Sequence, residues 1–314
     1  MSAAMLTAAL VLTVTAVAGC VLLWDRLPAH PATRLAVRIG LILSCQVCAV
    51  SLAGLILNDH FGFYSSWSEV LGRPAVRAAT AAPITGSLDQ RLAGRLRAAY
   101  QAGHGTVVPI VIRGTVSGVP PQRAWVYLPA AYSDPAAASM QFPVVELLHG
   151  FPGRPQGWTG PLKMQRVLDD RIMTRQSLPM IAVMPTQNLD PPRDTQCLDV
   201  AGGPKVDTFL TQDVHRAVAA AFRVIPDRSG WAVMGYSTGG YCALNLAMRH
   251  PNLFASAVSL SGDAQPAHSG ATGGLFGGSI ALRNANTPLW REQHLPAPDL
   301  SVLVMTSRAD RGSS

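Results

Sequence analysis

The chain has 314 residues, of which 48% are hydrophobic and only 14% are charged, and its formal net charge is +7. This composition excludes an intrinsically disordered chain, because disorder requires low hydrophobicity and high charge. The basic excess is almost entirely arginine and is accompanied by no nucleic-acid-binding motif, so we predict no nucleic-acid partner.

Two long apolar stretches, Ala3–Trp24 and Ile39–Leu57, lie near the N-terminus, and neither contains a charged residue. Because a helix of about 20 apolar residues crosses a bilayer, we predict a transmembrane helical hairpin over residues 1–60. The alternatives are a buried core helix, a cleaved signal peptide and a lipoprotein modified at Cys20. The hairpin is preferred because Met1–Thr7 has no basic residue and the apolar stretch continues beyond Cys20.

The distribution of arginines predicts how this hairpin is oriented. The segment between the apolar stretches contains Arg26, Arg34 and Arg38. Short cytoplasmic loops are enriched in Lys and Arg, so we place this segment in the cytoplasm and the chain after Leu57 outside it. Arg73 and Arg77 argue mildly for the opposite orientation. The predicted location is the cell membrane, with membrane lipids as partners and the main domain extracytoplasmic.

Residues 61–105 are predicted to connect the hairpin to a folded domain. They begin with an aromatic segment, Phe61–Trp67, which is typical of the bilayer interface, and continue with a linker rich in Ala, Pro and Gly. Ser87 and Gln90 have the spacing of a capping box, which predicts a short helix that ends near Tyr100.

A third region, residues 106–314, alternates short β-branched segments with helical patterns. The predicted strands are Val107–Ile112, Trp125–Leu128, Val144–Leu148, Ile181–Met184, Trp231–Met234, Ala257–Leu260 and Leu300–Met305. The predicted helices are Leu162–Met173, Val206–Phe222 and Gly239–Arg249. This alternation predicts an α/β domain with a mostly parallel central sheet. The glycine-rich segment Gly262–Gly278 is expected to be either a flexible wall over a substrate site or a surface insertion without function.

The strongest chemical motif is Gly235-Tyr236-Ser237-Thr238-Gly239, which lies between a predicted strand and a predicted helix. A G-x-S-x-G sequence in this context is typical of a nucleophile elbow, a tight turn that exposes a serine above a sheet. The turn leaves no room for a Cβ two residues before and after the serine, which explains Gly235 and Gly239. We therefore predict that Ser237 is a catalytic nucleophile beside the positive end of a helix.

A second motif, His149-Gly150-Phe151, follows the Val144–Leu148 strand. Acyl transfer needs two backbone N–H groups that bind the developing oxyanion. One comes from the residue after the nucleophile and one from the loop after the third strand. We assign these groups to Thr238 and Phe151, with Gly150 as the alternative to Phe151.

Residues 106–310 resemble the putative esterase family of α/β-hydrolases, which includes esterase D-like enzymes, feruloyl-esterase-like enzymes and actinobacterial mycolyltransferases. The resemblance depends on segments 148–151, 194–197, 235–242, 250–254 and 259–262. It implies an α/β-hydrolase fold and Ser–acid–His catalysis without a cofactor or a metal. The apolar hairpin and the aromatic segment are similar to those of membrane-anchored actinobacterial members.

In this fold the catalytic acid follows the seventh strand and the histidine comes last. The resemblance therefore favours Asp310 as the acid, with Asp263 as the alternative. No histidine follows Asp310. Three earlier histidines are poor candidates for the base: His149, His268 and His294. We expect the last strand, the last helix and the catalytic histidine to lie beyond Ser314, so that residues 1–314 alone have little esterase activity.

Three further assignments complete the predicted site. Cys197 and Cys242 lie at the same edge of the sheet in this fold, and we predict a disulfide between them. His149 and Trp158 are assigned to the substrate pocket, with structural packing as an equal alternative for Trp158.

The predicted function is a membrane-anchored serine hydrolase or acyltransferase that acts on a carboxylic ester through an acyl-enzyme at Ser237. Its partner is an ester or acyl-donor substrate, with lipid or cell-envelope esters as candidates. The alternative is a catalytically inactive, membrane-anchored binding or envelope protein that retains the fold.

Overall fold

The computed structural model describes residues 3–26, 30–61 and 90–307. Contacts divide the chain into two compact units, Met1–Arg73 and Pro74–Ser314. The first contains two long helices, and the second contains a sheet with flanking helices. Asp310, the predicted linker and most of the predicted aromatic segment lie outside the described residues.

The first unit is a pair of helices, α1 (Ala3–Leu23) and α2 (Pro31–Phe61). Apolar spans of 20 and 29 residues within them are long enough and apolar enough to cross a membrane. The two predicted apolar helices are therefore present. Helix α2 begins well before Ile39, at a proline, a residue suited to the first turn because it has no N–H to satisfy.

The second unit is built on a sheet of strands β1 (Thr106–Ile112), β2 (Gln122–Leu128), β3 (Val144–Leu148), β4 (Ile181–Met184), β5 (Trp231–Tyr236), β6 (Ser256–Leu260) and β7 (Ser301–Met305). The strand order is β1-β2-β4-β3-β5-β6-β7. Strand β2 is antiparallel to both of its neighbours, whereas all pairs from β4 to β7 are parallel. The mostly parallel sheet predicted from the sequence is confirmed.

The helices of this unit are α3 (Gln90–Gln101), α4 (Gln156–Thr159), α5 (Met164–Met173), α6, α7 (Thr238–Arg249), α8 (Ile280–Ala285) and α9 (Pro288–His294). Helix α6 consists of Val206–Thr208, a π-helical segment Phe209–Val214, and His215–Ala221. The sequence predicted α3, α5, α6 and α7. It did not predict α8 and α9, which are too short to show a clear helical period.

Alternate residues of the central strands enter two separate apolar clusters. Val144 and Leu148 of β3 pack with residues of α6 and α7. Leu147 packs on the opposite face with Trp158 and Met164. Strand β3 is therefore covered on both faces, which is why its sequence is almost continuously apolar.

Strand β7 differs from the other parallel strands because its side chains are exposed. Val302, Leu303, Val304 and Met305 each expose about half of their surface, between 49% and 54%. Within residues 90–307, β7 pairs only with β6, so it forms an edge of the sheet. The predicted strand is present, and no described element covers its side chains.

Candidate active site

Ser237 lies between the end of β5 and the first residue of α7. Its backbone has φ 54° and ψ −128°, a combination that residues with a side chain rarely adopt. The Ser237 N–H donates to the carbonyl oxygen of Leu260 at 2.9 Å, and its carbonyl oxygen accepts from the N–H groups of Gly240 and Tyr241. These hydrogen bonds hold the strained residue while its side chain stays exposed. This is the geometry of a nucleophile elbow.

Two glycines make this turn possible. A Cβ on Gly235 would lie 2.0 Å from the carbonyl oxygen of Gly239, and a Cβ on Gly239 would lie 2.3 Å from the carbonyl oxygen of Leu148. Both obstacles are backbone atoms, which cannot turn aside as a flexible side chain can. The second contact also shows that the elbow packs directly against the carboxyl end of β3.

The two predicted oxyanion donors lie close to Ser237. Thr238 is the first residue of α7, where a helix leaves its N–H groups without intrahelical acceptors. Phe151 follows Gly150, and a Cβ on Gly150 would lie only 3.1 Å from the Ser237 Cβ. Among the described residues, neither the Thr238 N–H nor the Phe151 N–H donates to a protein acceptor. Both groups are therefore available to an oxyanion.

His149 is enclosed in the protein and does not line an open pocket, so the pocket assignment is corrected. Its side chain has no exposed surface. Nδ1 donates to the carbonyl oxygen of Gly150 at 2.8 Å, and Nε2 accepts from the Gln187 N–H at 3.5 Å. The Gln187 side chain also donates to the carbonyl oxygen of His149 at 2.6 Å. Burial lowers the pKa of His149 to about 4, so a neutral imidazole supports the turn that carries Phe151.

Trp158 is also a buried residue, and only 4% of it is exposed. Its ring meets the ring of Tyr236 edge-on, with 5.2 Å between the centroids. It packs in the same cluster as Leu147 and Met164. Of the two roles considered for Trp158, the structure shows core packing.

The predicted acid, Asp310, lies outside the described residues. Its alternative, Asp263, follows β6 at the edge of the sheet where Ser237 lies, and it is partly buried. Strand β7 leads to the same edge, because Met305 is paired with Leu260 and Leu260 with Tyr236. The chain after β7 therefore leaves the sheet two strands away from the elbow.

Within the described part of the chain, no histidine forms a hydrogen bond with Ser237. His149 is enclosed, as described above. His294 stacks on Trp290 with 4.5 Å between ring centroids. His268 lies in the glycine-rich segment and is exposed. Among residues 3–26, 30–61 and 90–307, the structure thus shows no histidine base hydrogen-bonded to the serine.

A buried carboxylate beside the elbow, Asp194, received no role from the sequence. Its Oδ2 accepts from Thr238 Oγ1 at 3.4 Å, and its Oδ1 accepts from the Gln196 N–H at 2.9 Å. Burial raises the pKa of Asp194, and these hydrogen bonds partly oppose the rise. Asp194 therefore fixes the side chain of a predicted oxyanion residue. Its position in segment 194–197 was the available signal, but spacing alone does not show that this segment reaches α7.

Cys197 and Cys242 form a disulfide with 5.8 Å between their Cα atoms. The bond joins the chain after β4 to α7, one turn beyond Ser237. Together with the contact between Asp194 and Thr238, it fastens the 194–197 segment to the helix that follows the elbow.

The glycine-rich segment Gly262–Gly278 is held to the chain after β4. Arg193 Nε donates to the carbonyl oxygen of Thr272 at 3.1 Å, and the Asp194 N–H donates to that of Ala271 at 2.9 Å. The segment therefore has fixed hydrogen-bond partners beside the elbow.

An apolar groove of about 380 Å³ lies between α7, α9 and β7. None of the predicted site residues lines it. We identify the candidate site by the elbow and its N–H groups, because acyl transfer needs these groups together at one point and not merely a large cavity.

Comparisons with known proteins identify the family and the fold of this chain. A family model described as Putative esterase matches residues 121–312. An uncharacterized protein of Corynebacterium glutamicum is 30% identical over 166 residues, which are 52% of this chain and 38% of that protein. The MPT51 antigen of Mycobacterium leprae is 39% identical over 77 residues, which are 24% of this chain and 25% of that protein. The chain thus matches well under half the length of these curated relatives.

Among solved structures, the Staphylococcus aureus fluorophosphonate-binding serine hydrolase FphF superposes with a TM-score of 0.52 at 16% identity. The match covers 64% of this chain and 79% of that chain. At 16% identity, this structural similarity shows only that the two chains share a fold. The second unit has the α/β-hydrolase fold that the sequence predicted.

Proposed function

Because the chain belongs to the putative esterase family, we propose that it is a serine hydrolase or acyltransferase that acts on carboxylic esters through Ser237. One observation carries the proposal most directly. The backbone of Ser237 is held at φ 54° between β5 and α7, and its side chain is exposed. Strain of this kind persists at functional sites because it aims a reactive group.

In the proposed reaction, Ser237 Oγ attacks the ester carbonyl carbon and gives its proton to a general base. The negative charge on the carbonyl oxygen is bound by the N–H groups of Thr238 and Phe151. The ester C–O bond then breaks, the alcohol leaves with the proton, and the acyl group stays on Ser237. Water or a second alcohol takes the acyl group and restores the serine.

We propose Asp310 as the acid of the catalytic set. It follows β7, whose carboxyl end lies at the same edge of the sheet as Ser237. The base is a histidine that the acid orients, as the order of residues in this fold requires.

We further propose that α1 and α2 anchor the enzyme in a membrane and that the hydrolase unit lies outside the cytoplasm. Two apolar helices of sufficient length support the anchor. The disulfide between Cys197 and Cys242 supports an oxidising compartment, where such bonds persist. This location favours esters of lipids or of the cell envelope as substrates.

The proposal is tested by hydrolysis of p-nitrophenyl esters of increasing acyl length in detergent by the full-length protein, which here means residues 1–314 together with any residues that follow Ser314. We expect hydrolysis that the Ser237→Ala variant loses, although that variant folds. Adding a long-chain alcohol distinguishes the two reactions, because an acyltransferase forms a new ester where a hydrolase releases only acid. A folded full-length protein with no Ser237-dependent turnover would instead support the non-catalytic binding protein.

A further inference from the structure

The chain after β4 holds the glycine-rich segment at more points than the two hydrogen bonds described above. Gln196 Oε1 accepts from the Ala267 N–H at 2.9 Å. Leu275 is 5% exposed and packs in a small apolar cluster with Leu198, which directly follows Cys197. The glycine-rich segment is therefore held in place by the same residues that the disulfide ties to α7.

Asp194 is the residue through which this chain contacts both the glycine-rich segment and the elbow. Its N–H donates to the carbonyl oxygen of Ala271, and its Oδ2 accepts from the hydroxyl of Thr238, the first residue of α7. Its other carboxylate oxygen accepts from the Gln196 N–H, and only 5% of Asp194 is exposed. Because its backbone and both carboxylate oxygens are bonded, Asp194 cannot move without breaking one of these contacts.

We propose that Asp194 is a positioning residue that keeps Thr238 in register with the glycine-rich segment and thereby sets the rate of acylation, an inference that rests on the proposed function. The Thr238 N–H is one of the two groups assigned to the oxyanion, and a small shift of such a donor lowers the rate. The hydrogen bond to Asp194 holds the Thr238 side chain and, with it, the first turn of α7 in one orientation. Without the carboxylate, the hydroxyl lacks this acceptor, and the donor is free to move relative to the bound carbonyl group.

The test compares fluorophosphonate labelling of Ser237 and ester hydrolysis in the full-length protein and in its Asp194→Ala variant. We expect the labelling rate and kcat to fall about tenfold, the effect of one lost hydrogen bond, with KM changed less than about twofold. Direct loss of an oxyanion donor costs more, about 10²–10³-fold. Asp194→Asn should stay within about twofold of the wild type, because the amide oxygen can accept from the Gln196 N–H while the amide NH₂ donates to the Thr238 hydroxyl.

Three further variants test whether the effect arises at the contact with Thr238. Thr238→Val breaks this contact from the other side and leaves the carboxylate in place, so the test does not depend on the folding of Asp194→Ala. It should lower kcat equally, and adding Asp194→Ala should cause no further loss. Thr115→Val is the matched control, because it removes a threonine hydroxyl that donates to another buried carboxylate, Asp213, at 2.9 Å. Arg193→Met is the second control, because it removes hydrogen bonds to the glycine-rich segment and keeps the Thr238 contact. We expect both controls to lower stability at most and to leave kcat unchanged.

The outcomes separate the two proposals. A wild-type protein that is folded but never labelled at Ser237 overturns the proposed function together with this inference. When the wild type is labelled, three results overturn the positioning role alone. These are an Asp194→Ala variant that reacts at the wild-type rate, an Asp194→Asn variant as slow as Asp194→Ala, and an Arg193→Met variant that loses as much kcat as Asp194→Ala.

Discussion

Glu146 sits in the middle of β3 with its side chain almost completely buried and 1% exposed. Its neighbours on the adjacent strands are Val183 and Val233. Neither carboxyl oxygen has a hydrogen-bond partner among the described residues. Burial raises the pKa of Glu146 to about 8, so the folded protein holds the carboxyl in its neutral form at pH 7.

This burial makes stability depend on pH. The unfolded chain releases the proton near the ordinary pKa of about 4.3, so above that pH the folded state binds more protons. The free energy of unfolding should therefore fall as the pH rises from about 4.5 to about 8, by about 1.4 kcal/mol per pH unit. Glu146→Gln should remove this slope in urea titrations at several pH values. Glu292→Gln, which changes an exposed carboxylate, should keep this dependence of the free energy of unfolding on pH. If both variants showed the same dependence, Glu146 would not be its source.

A second prediction at this scale concerns Gly239. Gly239→Ala should destabilise the protein by about 3 kcal/mol and abolish labelling of Ser237, because the added Cβ meets the Leu148 carbonyl oxygen at 2.3 Å. Gly94→Ala in α3 is the control, since a Cβ there meets nothing within 4 Å. Gly94→Ala should leave the free energy of unfolding unchanged or raise it slightly, because alanine has a higher helix propensity than glycine. Thermal unfolding of both variants measures the difference.

Single residues show where sequence reasoning succeeds and where it fails. Ser237 and its two glycines were predictable because the steric demand of the turn is local and is written into neighbouring positions. His149 and Trp158 were assigned to a pocket because they lie in or shortly after the predicted oxyanion motif, but chain position does not reveal burial. Asp194 was missed because its contact with Thr238 joins residues far apart in sequence.

At the scale of elements, the disulfide is a covalent connection between α7 and the chain after β4. Cys197 and Cys242 are separated by 45 residues, and closing a loop of that length stabilises a fold by about 4 kcal/mol in the chain-entropy description. Reduction should therefore lower the thermal unfolding temperature and increase proteolysis in the glycine-rich segment Gly262–Gly278, which that chain holds. The Cys197→Ala/Cys242→Ala variant should show the same properties with and without reductant. A reductant effect in that variant would trace the change to other thiols.

The central strands were predicted well because burial on both faces leaves a continuous apolar sequence. Strand β7 shows the limit of this rule. Its sequence is as apolar as that of a buried strand, yet it is exposed on an edge of the described sheet. An apolar sequence predicts that a strand can be buried, but it does not predict which element, if any, packs on it.

At the scale of the whole molecule, the chain divides into two compact units. We propose that the first anchors the protein and that the second carries the catalytic site. Deleting residues 1–73 should release the second unit from the membrane fraction while it keeps its fold, because residues of the second unit form its two main apolar clusters. Carbonate extraction of membranes, followed by immunoblotting, measures this. The full-length chain should stay in the pellet, and release of the full-length chain would argue against an anchor.

The proposed function requires Ser237 to be an activated nucleophile. Peptide mapping by mass spectrometry after fluorophosphonate treatment of the full-length protein tests it most directly. We expect one adduct, on Ser237, that is absent from the Ser237→Ala variant. A folded protein with its disulfide intact that carries no adduct, or carries one on another serine, would contradict it.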